Sequence, residues 1–163
     1  MVDAYVAIGS NKGNRAANIE RAMQLLKENE EIEVVIASSL IESEPEGGLP
    51  QENYLNGAIH VRTELTPLEL LSQLKMVERR LGRQKGPVNS PRPMDLDILF
   101  YDDVVIVEGK TLSIPHPRLD RRLFVLKPLS EIAPDVVHPR LKKTVRELLE
   151  QCISESYSAQ PNA

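Results

Sequence analysis

Hydrophobic and polar positions along the chain alternate with two different periods, and the places where the period changes mark out its elements. The run "DAYVAIGS" is short and β-rich, and it ends in Gly9-Ser10-Asn11, a turn signal. In the next segment, "NRAANIERAMQLLKEN", Ile19, Ala22, Met23 and Leu26 fall on one helical face with charges on the other. "EIEVVIASSLIES" alternates Ile32, Val34 and Ile36 with polar or small neighbours and reads as a strand. After the loop "EPEGGLPQEN", "YLNGAIHVRTEL" reads as another. Thr66, Pro67 and Glu69 then form a helix start: a capping hydroxyl, a proline at the first helical position and an acid at the third. Leu70, Leu71, Leu74, Val77 and Leu81 supply that helix's apolar stripe, and Gly82 is its expected left-handed terminator. A second long loop, "RQKGPVNSPRP", leads into "MDLDILFY", a buried-strand pattern interrupted by two acids. "DDVVIVEG" reads as one more strand, "TVRELLEQCIS" as a helix, and "SYSAQPNA" as a frayed tail.

The order β, α, β, β, α, β with C-terminal additions predicts an α+β fold with a ferredoxin-like, mainly antiparallel sheet. Helices are expected on one face, and an active-site cleft with mobile loops on the other. A length of 163 residues, with no internal repeat or linker, predicts one domain over 1–163 whose tail from about 155 is frayed.

Composition narrows the function more than the fold. A net charge of -4 argues against wholesale binding of nucleic acid or an anionic membrane, so any phosphate binding must be local. The lone Cys152 can form no disulfide within the chain. The N-terminal stretch lacks the basic start and apolar core of a signal peptide, and no apolar run is long enough to span a bilayer. A soluble, cytoplasmic protein is expected, with a monomer as the default.

The acids in "SPRPMDLDILFYDD" carry the strongest chemical signal. Side chains two apart in a strand share a face, so Asp95 and Asp97 lie about 7 Å apart, with Leu96, Ile98 and Phe100 expected on the opposite side. Such a pair is either a solvated strand face or a set of hard oxygen ligands, and the latter suits Mg²⁺ shared with substrate phosphates. The basic surroundings favour the second reading: Arg92 lies just upstream, and "RRLGRQK" brings Arg79, Arg80, Arg83 and Lys85. Downstream, His116 sits between two prolines, and Arg118, Arg121 and Arg122 offer forked donors. His116 taken alone also fits a turn-stabilising or core histidine, and Phe124 also fits the core. Asn56 shares a strand face with Tyr54, an arrangement that can read the edge and face of a flat heterocycle or serve structure alone. "GSNKGN" lacks the spacing of a nucleotide-binding P-loop and is read as a strand-to-helix turn.

Together the runs "AYVAIGSNKGN", "NYLNGAI", "LKMVERRLGR", "PRPMDLDILFYDD", "IPHPRL" and "RLFVLKPLSEIAP" resemble the 6-hydroxymethyl-7,8-dihydropterin pyrophosphokinase family over roughly residues 4 to 139. That resemblance implies pyrophosphate transfer from ATP to a pterin alcohol in folate biosynthesis. It implies two Mg²⁺ ions held by Asp95 and Asp97, with Asp95 also at the substrate. Arg83, Arg92, His116 and Arg122 would engage the triphosphate, and Glu78 would lie near the nucleotide. Tyr54, Asn56 and Phe124 would form the pterin pocket, with Ser43 and Glu44 contributing from the loop. Where the family often has a tryptophan-glycine before the Pro-Arg, this chain has "GPVNSPRP" and no tryptophan, which leaves Val88 and Asn89 in place of an aromatic cover.

In the expected reaction the hydroxymethyl oxygen attacks the β-phosphorus of ATP and AMP leaves. Positioning and charge neutralisation dominate such transfers, so Arg83, Arg92 and Asp97 are the catalytic candidates. Asp97 is the better candidate to help deprotonate the hydroxyl, although no dedicated base is required. Loops 44 to 53 and 83 to 91 are the natural lids. Two other readings stay open on sequence alone: a non-catalytic nucleotide-sensing module, and a two-metal phosphohydrolase with water as acceptor.

Overall fold

The first two helices each start at a side-chain cap. In the computed structural model, which describes residues 1–46, 50–84, 86–87 and 90–158, strand β1 (Val2–Ser10) is followed by helix α1 (Arg15–Glu28). The Asn14 side chain accepts from the Ala17 N–H and so satisfies one of the helix's free donors. Strands β2 (Ile32–Ala37), β3 (Ile41–Ser43) and β4 (Tyr54–Thr63) precede helix α2 (Pro67–Arg80). Thr66 and Glu69 form the reciprocal capping box that their spacing predicts. At the far end Gly82 has φ +91, the Gly82 N–H reaches the Arg79 carbonyl, and the Arg83 N–H reaches the Glu78 carbonyl. That is a Schellman termination, and it fixes Arg83 against the last turn of the helix. Strand β5 (Asp95–Tyr101), the hairpin β6 (Ile106–Glu108) and β7 (Leu112–Ile114), and helices α3 (Leu123–Ile132) and α4 (Val145–Ser158) complete the chain.

The main sheet is antiparallel, in the order β2-β4-β1-β5, with β3 also paired to β4. This is the ferredoxin-like arrangement expected from the element order. One face is apolar along its length. Ala4, Val6, Ile8, Ile59, Val61, Leu96 and Ile98 meet Ile19, Ala22 and Leu26 of α1 and Leu70, Leu74 and Val77 of α2. The other face differs from the expectation of helices on one side only. Ala58, Leu99 and Phe100 pack beneath Leu126 and Leu129 of α3 and Val145, Leu148 and Cys152 of α4. The C-terminal helices therefore cover part of the second face, and the cleft lies beside them.

Three smaller expectations change for physical reasons. The run "EIEVVIASSLIES" is two strands: Ser38 Oγ accepts from the Ala58 N–H, and the Leu40 side chain packs where Gly57 has no Cβ. A bulge between Val34 and Ile36 accompanies the break and leaves Ile36 49% exposed instead of inward. A second bulge in β5 lets Tyr5 pair with Phe100 and Val6 with Ile98, which leaves Leu99 as the extra residue. Phe100 accordingly joins the second core, on the face of the acids and not opposite them. Finally, residues 155–158 are helical rather than frayed, and Gln151 Nε2 donates to Glu155 Oε1 one turn on. No described helix is long and apolar enough to cross a membrane.

Candidate active site

Strand register places the two acids. Asp95 pairs opposite Gly9 and Asp97 opposite Ala7, so both carboxylates stand over the smallest residues of β1. A Cβ on Gly9 would lie 3.2 Å from Asn56 Oδ1 and 3.5 Å from Tyr54 Cδ1, so the bare glycine keeps the floor open. Above that floor is a cleft of about 410 Å³, lined by Asp95, Asp97, Arg92, His116, Arg122, Phe124, Tyr54, Asn56, Ser43 and Glu44. Ten predicted site residues thus converge from five separate segments of the chain.

The bulge at Leu99 has a direct use here. The carbonyl of that residue accepts the His116 N–H at 3.0 Å, which anchors the "PHPR" segment beside the acid strand. The Arg118 N–H donates to His116 Nδ1, so the neutral ring carries its proton on Nε2. Burial and then the Arg122 charge push the His116 pKa down, so the ring is neutral at pH 7. It is a hydrogen-bond donor without a net charge.

Asp95 lies between two guanidinium groups, with Arg83 Nη1 2.9 Å from one carboxylate oxygen and Arg92 Nη1 3.3 Å from the other. Arg83 also reaches Glu78 Oε2 at 2.7 Å. Burial opposes the charge of Arg83, but Asp95, Glu78 and Asp97 outweigh it and hold its pKa above the ordinary value. Neither Arg83 nor Glu78 lines the cleft. The Glu78 side chain is 3% exposed, accepts the Leu96 N–H at 2.7 Å and pairs with Lys75. It braces β5 and Arg83 from behind the acids. Arg79 and Arg80, on the outer side of the last turn of α2, are exposed. Lys85, Val88 and Asn89 lie outside the described residues.

Asp97 has no arginine partner comparable to those of Asp95. Burial first, and the neighbouring Asp95 charge second, raise its pKa from 3.8 to about 7. Two carboxylates on one face, one of them resisting ionisation, form a site that a cation would relieve. The donors are all oxygen, which fits Mg²⁺. No cluster of three or more metal-ligating side chains occurs among the described residues, so such an ion would need oxygens from water or substrate to complete its shell.

At the opposite wall, Asn56 is 6% exposed and its Nδ2 donates to Ser43 Oγ at 2.7 Å. That bond leaves Oδ1 on the Gly9 side, and Ser43 fixes the amide's orientation. The Arg122 guanidinium lies 5.5 Å from the Phe124 ring centroid, and its Nη2 contacts Glu46 at 2.8 Å. Its buried Nε has no hydrogen-bond partner among the described residues. The wall therefore offers an aromatic ring, an oriented amide and an arginine with unused donor capacity.

The family model described as 7,8-dihydro-6-hydroxymethylpterin-pyrophosphokinase matches residues 5–134, most of the chain and every residue of the cleft. The chain belongs to this family. The Aquifex aeolicus 2-amino-4-hydroxy-6-hydroxymethyldihydropteridine pyrophosphokinase is 42% identical over 90% of this chain and 90% of that protein. The Bacillus subtilis protein of the same name is 41% identical over 82% and 79%. The fission yeast folic acid synthesis protein fol1 is 38% identical over 93% of this chain, which spans only 21% of its length. Among solved structures, a Plasmodium falciparum HPPK-DHPS with pteroate superimposes with a TM-score of 0.78 at 17% identity. It covers 97% of this chain and 43% of that one, and at that identity it speaks for the fold alone.

Within this pyrophosphokinase cleft, sequence reasoning missed several groups. Gly9, Glu46 and Leu99 carry no catalytic side-chain signature. A glycine ending a strand is a detectable hint, whereas a loop glutamate and a bulged leucine become visible only once paired.

Proposed function

We propose that the chain carries out its family's reaction with ATP and Mg²⁺, passing pyrophosphate to 6-hydroxymethyl-7,8-dihydropterin. The observation that carries this reading is the convergence of the paired acids, Arg92, His116 and Arg122 with Tyr54, Asn56 and Phe124 around one cleft. A polyphosphate needs forked cations and a neutral donor, and the acid side of the cleft supplies both. A flat pterin needs a ring to stack on and an edge to bond to, and the opposite wall supplies Phe124, Tyr54 and Asn56.

Each group has work set by its geometry. Asp95 and Asp97 would hold Mg²⁺, which supplies charge neutralisation at the phosphates when bound. With Mg²⁺ held there, the Asp95 ion pairs with Arg83 and Arg92 would loosen, and their donors would be left for phosphate oxygens. His116 donates from Nε2 without adding a charge that would have to be lost later. Arg122 has both a surface contact to exchange, with Glu46, and a buried Nε to satisfy. Tyr54 keeps its phenol proton, because burial and then the Asp95 charge raise its pKa. In-line attack by the hydroxymethyl oxygen on the β-phosphorus then depends on how well these groups hold two substrates together. Loops 44 to 53 and 83 to 91, expected from the sequence as lids, include residues 47–49, 85 and 88–89, which lie outside the described residues.

The test is AMP formation from ATP and Mg²⁺, with and without the pterin, for the native chain and Asp97→Ala. Pterin-dependent AMP that the variant loses supports transfer and the metal role of the acids. ATP binding without AMP would favour nucleotide sensing, and pterin-independent phosphate release would favour hydrolysis.

A further inference from the structure

The turn after β1 links two segments that meet the cleft from opposite sides, and its role rests on the reading of that cleft as a two-substrate site. Asn11 is 2% exposed. Its backbone N–H donates to the Arg92 carbonyl at 3.0 Å, and its Oδ1 accepts the Arg92 N–H at 2.7 Å. The other end of the same amide donates from Nδ2 to Gln51 Oε1 at 2.7 Å and to the Glu52 carbonyl at 3.2 Å. One carboxamide thus clips the strand entry that carries Arg92 to the segment that runs into Tyr54 and Asn56.

Its neighbours behave differently. Asn14 caps the adjoining helix, and Asn18 Nδ2 bonds the Lys12 carbonyl, both within their own turn. The side-chain bonds of Asn11 instead span 40, 41 and 81 residues of sequence. An amide is suited to this position because it presents an acceptor and a donor in fixed opposition. Alanine would leave the Arg92 N–H and the Glu52 carbonyl without this partner; aspartate would keep the Arg92 bond and lose both donors.

We propose that Asn11 is a positioning residue that couples the phosphate side of the cleft to the pterin side. A nucleotide that settles on Arg92 fixes its backbone, and through Asn11 it fixes residues 51–52 and the approach to Tyr54. Coupling of this kind is reciprocal, so pterin binding must tighten the nucleotide by the same factor. Arg15 provides a contrast. It donates to the Asn53 carbonyl and pairs with Glu42, so it steadies the same segment without touching the Arg92 backbone.

The experiment is pterin affinity measured with and without a saturating Mg²⁺ complex of an ATP analogue whose α,β-bridge is methylene, read as the ratio of the two constants. The native ratio should be about fivefold or more, within the usual range of coupling between sites. Asn11→Ala should bring it to within about twofold of unity, and Asn11→Asp, with its donors gone, should do the same. Gln51→Ala, which removes one arm from a partly exposed side chain, should lower the ratio part-way and decides the matter if the Asn11 variants do not fold. Arg15→Ala should weaken pterin binding and leave the ratio at its native value. Folded Asn11 variants that keep the native ratio overturn the proposal. A native chain that binds both ligands with a ratio near one overturns it too, while leaving the transfer reading intact. A native chain that binds no pterin overturns the transfer reading itself.

Discussion

The two faces of the sheet are built to opposite specifications from the same alternating strands. Under α1 and α2 the inward side chains of β1, β4 and β5 form one apolar core, from Ala4, Val6 and Ile8 through Ile59 and Val61 to Leu96, Ile98 and Tyr101. On the other side the same strands present Ala7, Gly9, Asn56, Asp95 and Asp97, and only the portion beneath α3 and α4 is apolar. The closed face supplies cohesion, with each fully buried leucine contributing about 1.5–3 kcal/mol. The open face supplies chemistry, and it holds two carboxylates side by side only because the closed face secures the strands beneath them.

This contrast can be tested by substitutions that affect one face and spare the other. The largest effect is expected on the open face: Asp97→Ala should cut pterin-dependent AMP formation by about a thousandfold or more, since several kcal/mol of charge stabilisation depend on it. Its melting temperature should hold or rise in the absence of divalent ions. A rate within about tenfold of native would mean that Asp97 is not needed for holding the metal. Leu74→Ala on the closed face should do the reverse. It should destabilise the fold by about 2–5 kcal/mol in urea titrations while activity per folded molecule stays native. Loss of specific activity in the folded fraction would show that the two faces are not separable.

Arg83→Ala and Arg92→Ala sharpen the comparison within the open face. Each should slow transfer at saturating substrates by roughly 10- to 100-fold and weaken ATP binding less. Arg92 meets the cleft directly, whereas Arg83 acts from beside Glu78, so single-turnover rates should fall further for Arg92→Ala. Equal losses would mean that both guanidinium groups reach the phosphates.

The last effect is a pH dependence, read in stability alone. Because the folded pKa of Asp97 lies at about 7 and its ordinary value at 3.8, the folded state holds a proton that the unfolded chain releases between those values. Stability of the metal-free chain should therefore decline as pH rises through that window and level off above it. The shift should be on the order of ten degrees in melting temperature, and Asp97→Asn should flatten the curve. Mg²⁺ must displace that proton, so its stabilising effect should be larger at pH 8 than at pH 6. An equal Mg²⁺ effect at both would assign the metal to ionised groups other than Asp97.

Local chemistry was enough to reveal much of this molecule in its sequence. The α2 cap reads directly from Thr66-Pro67-Glu69, the terminator from Gly82, and the shared face of Asp95 and Asp97 from a spacing of two, because each depends on residues a few positions apart. The order of elements was enough to fix an antiparallel α+β sheet. Tertiary structure decided everything that depends on pairing between distant segments. Which part of the second face α3 and α4 cover is a matter of packing, and no local period encodes it. The bulge that turns Phe100 inward and leaves the Leu99 carbonyl for His116 arises only when β5 registers against β1. Glu78 read as a group near the nucleotide, and the fold places it as a brace because its carboxylate meets the Leu96 N–H and Arg83 behind the strand. Asn11 read as part of a turn, and only the folded chain brings it within reach of residues 51, 52 and 92 at once.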